Sequence, residues 1–178
     1  MVYLQRALRF LPVALGVAAL AIAILSQASV FHVQDDAYMY ARYAANLRHG
    51  DGFAWNPGGE PTWGATALLY VPWVAAISTF LGDDPGRIIV FASAIGMVLA
   101  LVLMALLVIR SIPSGEGDRG LVLMICVAIA AVAHRKIAAH AANGMDTGFS
   151  MACLCVLLLA WRRWSDPVRS QVNSSGVV

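Results

Sequence analysis

Two stretches, Phe10–Phe31 and Ile88–Ile109, run without a single charged side chain. At about 1.5 Å of rise per residue, each is long enough as a helix to cross a hydrocarbon layer about 30 Å thick. A chain that carries such runs folds around a lipid bilayer. The composition agrees: 60% of the residues are apolar and 12% are charged, which excludes a disordered chain and an ordinary soluble domain. A net charge of +2, spread without a basic stripe, gives no surface for nucleic acid. Cys126, Cys153 and Cys155 lie in apolar runs with no metal-ligand spacing, so they read as small buried hydrophobes.

Arg6 and Arg9 precede the first run and Asp35 and Asp36 follow it, which sets the N-terminus in the cytoplasm and the acidic segment outside. A cleaved signal peptide is the rival, because Ser26-Gln27-Ala28 resembles a cleavage site; the apolar run is longer than a signal core and favours an uncleaved anchor. Next comes the one long polar and aromatic passage, Val33 to Gly64. Within it, Ala37 to Arg48 has helical spacing, with Ala37, Tyr40, Ala41, Ala44 and Leu47 on one face and Arg42, Asn46 and His49 elsewhere. Gly50 and Gly52 end that helix, and Asn56-Pro57-Gly58-Gly59 predicts a turn in a loop.

Ala65 to Leu81 is apolar, short and interrupted by Pro72, so it either just spans or dips in and returns. Further spans are predicted at about 88–109, 120–140 and 146–161, with a polar, frayed tail from 165 to 178. Charge placement arbitrates the short segment. If it does not cross, Arg6, Arg9, Arg110, Arg119, Arg162, Arg163 and Arg169 face the cytoplasm, and only Arg42, Arg48, Arg87, Arg135 and Lys136 lie outside. The juxtamembrane or re-entrant reading follows, and it puts Asn143 to Thr147 on the same side as Asp35 and Asp36. His134, Arg135 and Lys136 belong at the outer end of the third span, where they either snorkel to lipid headgroups or line a polar cavity. The expected fold class is thus all-α, an integral membrane helical bundle whose extracytoplasmic loop 32–87 carries two juxtamembrane helices, in a multi-pass protein of the cytoplasmic membrane.

The string Asp35-Asp36-Ala37-Tyr38, Arg42-Tyr43-Ala44, Asn46-Leu47, Gly50-x-Gly52 and Asn56-Pro57-Gly58-Gly59-Glu60 resembles the first extracytoplasmic loop of GT-C superfamily glycosyltransferases. The wording is nearest to the bacterial terminal arabinofuranosyltransferases, with mannosyl transferases further off. Gly144-Met145-Asp146-Thr147 is similar to a Gly-hydrophobic-acid-Thr motif of that group, with Asp where Glu is commoner. The resemblance implies a membrane glycosyltransferase, or the N-terminal part of one, that takes a sugar from a polyprenyl-phosphate donor. The acceptor is then a cell-envelope glycan, lipid or protein on the extracytoplasmic face. It implies Asp35 as general base and Asp36 as an acceptor-orienting partner, with a divalent cation at Asp35 and Asp36 as the one cofactor left open. Arg42, Glu60 and Asp146 are implied substrate-orienting residues, and Arg135 and Lys136 are candidates to hold the departing phosphate. Family members have more spans, so a separate chain supplying further helices is an expected partner beside membrane lipids. Two structural readings compete: Asp35 as a helix N-cap, and Trp55, Trp63 and Tyr70 as an interfacial aromatic belt. The functional alternative is a noncatalytic membrane subunit or degenerate remnant that packs against partner helices.

Overall fold

The computed structural model describes residues 33–111, 141 and 143–175. The predicted spans 10–31 and 120–140, with His134, Arg135, Lys136 and Cys126, lie outside the described residues. What is described is all-α: α1 Ala37–His49, α2 Tyr70–Leu81, α3 Pro85–Ser111 and α4 Thr147–Ser175. Among the described residues the only β pairing is an isolated bridge between Ala54 and Pro61.

α1 forms where the spacing predicts it and stops at Gly50, whose φ of 93° lets the chain turn back while Asp51 donates to the Asn46 carbonyl. Its buried residues are Ala37, Tyr40, Ala41, Tyr43, Ala44 and Asn46. The buried arc is therefore wider than the predicted face. Asn46, read from sequence as lying off that face, is buried, because the returning loop 51–66 covers the side of α1 that α2 does not. α2 begins only at Tyr70 and has 12 residues. At about 1.5 Å per residue it covers ~18 Å, well short of a bilayer core. The stretch before it, from Ala65 to Leu69, is not helical; Thr66 there meets the Tyr40 hydroxyl at 3.1 Å.

α1 and α2 run parallel. Near their starts the Tyr40 and Tyr70 rings meet edge to face with centroids 5.0 Å apart, a geometry that contributes about 1 kcal/mol beyond burial. Near their ends Arg48 donates to the Ser78 carbonyl at 3.2 Å and pairs with Asp83 at 2.6 Å. A tight turn at 82–84 reverses the chain into α3, so α2 lies antiparallel against the first turns of α3, with Trp73 Nε1 donating to the Ala92 carbonyl at 3.0 Å. α3 contains the one described helix, Pro85–Leu107, long and apolar enough to cross a membrane.

α4 runs parallel to α3 at very close range. A Cβ on Gly148 would stand 2.5 Å from the Met97 nitrogen, and one on Gly96 would stand 2.9 Å from the Phe149 nitrogen. Only glycine permits this approach. Gly96 and Ala100 on α3, and Gly148 and Ala152 on α4, are small residues four apart and all buried, the pattern by which helices in lipid bring their backbones together. α4 also continues through Ser175, where the sequence predicts a frayed tail. Propagating an established helix is far easier than starting one, and no glycine lies between Gly148 and Gly176, although the helix also runs through Pro167, which supplies no N–H to it.

Candidate functional site

The predicted site residues fall on two segments, the approach to α1 and the turn before α4. These segments meet. The Gln34 amide donates to the Asn143 carbonyl at 3.1 Å, and Asn143 Nδ2 donates to Gln34 Oε1 at 3.2 Å. Asp35 and Asp36 are the next residues on one side of this clasp, and Asp146 follows three residues along on the other.

Gly144 is the centre of the junction. Its φ of 85° is reached without strain only by glycine, and a Cβ there would stand 2.7 Å from the Ala37 Cβ and 3.3 Å from Ile89 Cγ1. Its amide donates to Ser93 Oγ on α3 at 3.1 Å, and its carbonyl accepts from the buried Tyr70 hydroxyl on α2 at 3.1 Å. One glycine is thus gripped by α1, α2 and α3 at once, and the chain leaves it directly into α4. The N-termini of α1, α2 and α4 converge there, and such ends favour negative charge beside them.

The environment of Tyr70 registers that charge. Burial pushes its phenol well above the ordinary value, and the neighbouring Asp146 carboxylate and Tyr40 push it further in the same direction. Tyr70 stays a neutral donor. It is fully buried, so it belongs to no interfacial belt.

Asp36 occupies the N-cap position of α1, yet its side chain makes no capping hydrogen bond. Asp35 accepts the Tyr38 amide through its backbone carbonyl. Both side chains are exposed, and among the described residues neither has a hydrogen-bond partner, so helix capping does not account for them. Asp146 is half-buried and accepts from Ser150 Oγ at 3.0 Å, which fixes its rotamer at the start of α4. No group of three or more His, Cys, Asp or Glu among the described residues stands close enough to share a metal ion. Any cation at Asp35 and Asp36 would need ligands from elsewhere, water or substrate among them.

Arg42 is committed to the loop. Its Nε donates to the Trp55 carbonyl at 2.7 Å, its Nη2 to Asn56 Oδ1 at 3.3 Å, and its guanidinium lies 4.8 Å from the centre of the Trp55 ring. These contacts make it a clamp on the turn. Glu60 is exposed near the tip of the same loop, and the structure does not bring it to the Gly144 junction. Trp63 is 69% exposed and stacks on Phe53. Arg135 and Lys136 lie outside the described residues.

Sequence reasoning missed Tyr70, Ser93 and Gly144 as a unit. Each is ordinary in its own segment, and the link between them spans up to 74 positions. The weak signal available was the glycine itself, placed before an acid and a predicted helix. Comparison with protein-family models, with curated proteins and with solved structures finds no match to this chain.

Proposed function

We propose that the chain is a membrane glycosyltransferase of GT-C type, or its N-terminal part, acting on a polyprenyl-phosphate sugar at the extracytoplasmic face of a multi-pass protein. The observation that carries this reading is the clasp between Gln34 and Asn143, which holds the Asp35-Asp36 pair beside the turn that bears Asp146. Such a transfer needs a base for the acceptor hydroxyl and a charged frame around the reacting sugar. In the proposed reaction Asp35 takes the hydroxyl proton as the acceptor oxygen attacks the anomeric carbon. The bond from that carbon to the phosphate oxygen breaks, and the phosphate leaves with the electron pair, held by Arg135 and Lys136. Asp36 orients the acceptor, and Asp146, fixed by Ser150, supports the sugar from the opposite segment.

The test is complementation of a strain lacking the corresponding transferase, read by glycan analysis of the cell envelope. Asp35→Asn is expected to lower transfer about 10²- to 10⁴-fold, the range of a lost general base, with insertion into the membrane unchanged. Retained transfer would refute the assignment. A noncatalytic packing subunit is favoured by a different observation: Leu154, Leu157 and Leu158 on α4 are exposed and apolar. Under that reading Asp35→Asn leaves the phenotype intact while substitutions on that α4 face remove it.

A further inference from the structure

The described residues divide by height along α3. From Ile88 to Ile109 α3 carries no charge, and from Thr147 to Trp161 neither does α4, which runs beside it. Most exposed side chains of this layer are apolar, among them Leu99, Leu106, Leu154 and Leu157, with Thr147 and Ser150 at the start of α4 as exposed polar exceptions. The layer closes at Arg110 on one helix and at Trp161-Arg162-Arg163-Trp164 on the other, the basic and aromatic pattern of a membrane boundary. From Ile89 to Arg110 the rise is about 32 Å, one hydrocarbon thickness. At the other end everything reverses. Arg42, Arg48, His49, Glu60, Asp83, Asp84 and Arg87 are all exposed, and all belong to α1, its loop, the turn into α3 or the first turn of α3.

The foot of α2 crosses that division. Trp73 bonds the Ala92 carbonyl and Tyr70 bonds Gly144, so the first turn of α2 stands beside a part of α3 about 10 Å in from Pro85. There, Leu68 is 42% and Leu69 is 70% exposed, and Pro72, one turn on, is exposed as well. Phe80, at the other end of α2, sits near the charged turn and needs no partner as a lone exposed hydrophobe.

The geometry points to a lipid contact: the foot of α2, Leu68, Leu69 and Pro72, is immersed in the acyl region beside Ala92, and the cap of α1, loop and α2 stands on the membrane over it. The occupant is hydrocarbon rather than a partner chain because the foot is continuous in height with the uncharged and largely apolar exposed surface of α3 and α4. Every charged side chain of the cap lies on the other side of the boundary. One consequence is that the plane through Ala37, Gly144 and Ile89 coincides with the lipid headgroups, which sets Asp35 and Asp36 at the height of a lipid phosphate, while Asp146, between Gly144 beside Ile89 and Gly148 beside Met97, stands further in along α3. The inference rests on the membrane part of the reading above and is indifferent to whether transfer occurs.

Nitroxide labels decide it. The full chain, with its three cysteines replaced, is reconstituted in phosphatidylcholine and phosphatidylglycerol vesicles with a single label at Leu69→Cys, His49→Cys or Leu157→Cys. Collision with oxygen, which partitions into lipid, is compared with collision with a water-soluble nickel chelate. The Leu69 label is expected to match Leu157, with an oxygen-to-nickel ratio several-fold above that of His49. Leu68→Cys provides a second exposed position should the first perturb folding. A Leu69 label as accessible to nickel as His49, or a His49 label buried in lipid like Leu157, overturns the proposal. A Leu157 label in water would instead overturn the membrane reading itself, whereas loss of transfer in Asp35→Asn with these ratios unchanged bears only on the chemistry.

Discussion

The cap of α1 with its loop and the pair α3 and α4 are held together by opposite means. In the cap, hydroxyls and amides do the joining: Tyr43 meets Thr62 at 2.9 Å and accepts from the Gly64 amide, while Asn46 reaches the carbonyls of Ala54 and Trp55. Between α3 and α4 the contact is backbone against backbone, made possible by Gly96 and Gly148. The difference is what two solvents would select. Where water competes, specificity comes from placing polar groups so that each finds a partner. If both helices are set in hydrocarbon, as the proposed membrane reading has it, burial of apolar surface offers little and close packing of small residues takes over. Gly144 is the point where the two modes join, with a hydrogen bond donated by its amide, another accepted by its carbonyl, and close packing on its α-carbon.

The largest expected effect comes from breaking the close-packed pair. Gly148→Leu drives a side chain into the α3 backbone and should cost about 3 kcal/mol, the upper part of the range for overpacking, seen as a lowered thermal midpoint in detergent. If the midpoint is unchanged, the helices are not packed as described. On the cap side, Asn46→Ala strips two carbonyls of their donor and should cost about 2 kcal/mol. Its signature is local: faster proteolysis within 51–66, with the α3 and α4 pair unaffected. Uniform destabilisation of both regions would contradict the division between them.

Smaller still is Tyr70→Phe, which removes one buried hydrogen bond to Gly144, about 1 kcal/mol. It carries a pH signature as well. Because the folded state holds the Tyr70 proton more tightly than the unfolded state, the unfolded chain binds fewer protons once pH passes the ordinary tyrosine value near ~10. Stability contributed by Tyr70 is therefore complete below that pH and declines above it, toward the raised folded value. Tyr70→Phe should flatten this alkaline decline in a titration of the thermal midpoint. An unchanged decline would show that Tyr70 is not the group responsible.

Local chemistry made part of this legible. Helix α1 was readable almost to the residue, because alanines and tyrosines at helical spacing were bounded by Asp36 and Gly50. The turn at Asn56-Pro57-Gly58-Gly59 was equally plain, and Gly59 does donate back to the Asn56 carbonyl at 3.0 Å. What could not be read was any feature whose partner is distant in sequence. The burial of Asn46 depends on a loop folding back over α1. The full burial of Tyr70, read as a candidate for an aromatic belt, depends on a glycine from a different part of the chain. The end of α4 failed for another reason: polar composition after Ser165 suggests fraying, but a long helix already formed carries polar residues along at little cost. Of the site, the candidate acids could be named, and charge placement predicted that Asn143 to Thr147 shares their side. Arg42 also clamps the loop through Trp55 and Asn56, a use that only the returning loop reveals.

The central claim is that the approach to α1 and the turn before α4 are joined at Gln34 and Asn143. Their backbone atoms stand 3.1 Å apart, so cysteines at the two positions fall within the reach of a disulfide, whose α-carbons lie about 4.4–6.8 Å apart. With the three native cysteines replaced, Gln34→Cys with Asn143→Cys should crosslink rapidly under mild oxidation in membranes, while Gln34→Cys with Ser165→Cys should not. Crosslinking no faster than that control would separate the two acidic segments and contradict a shared site.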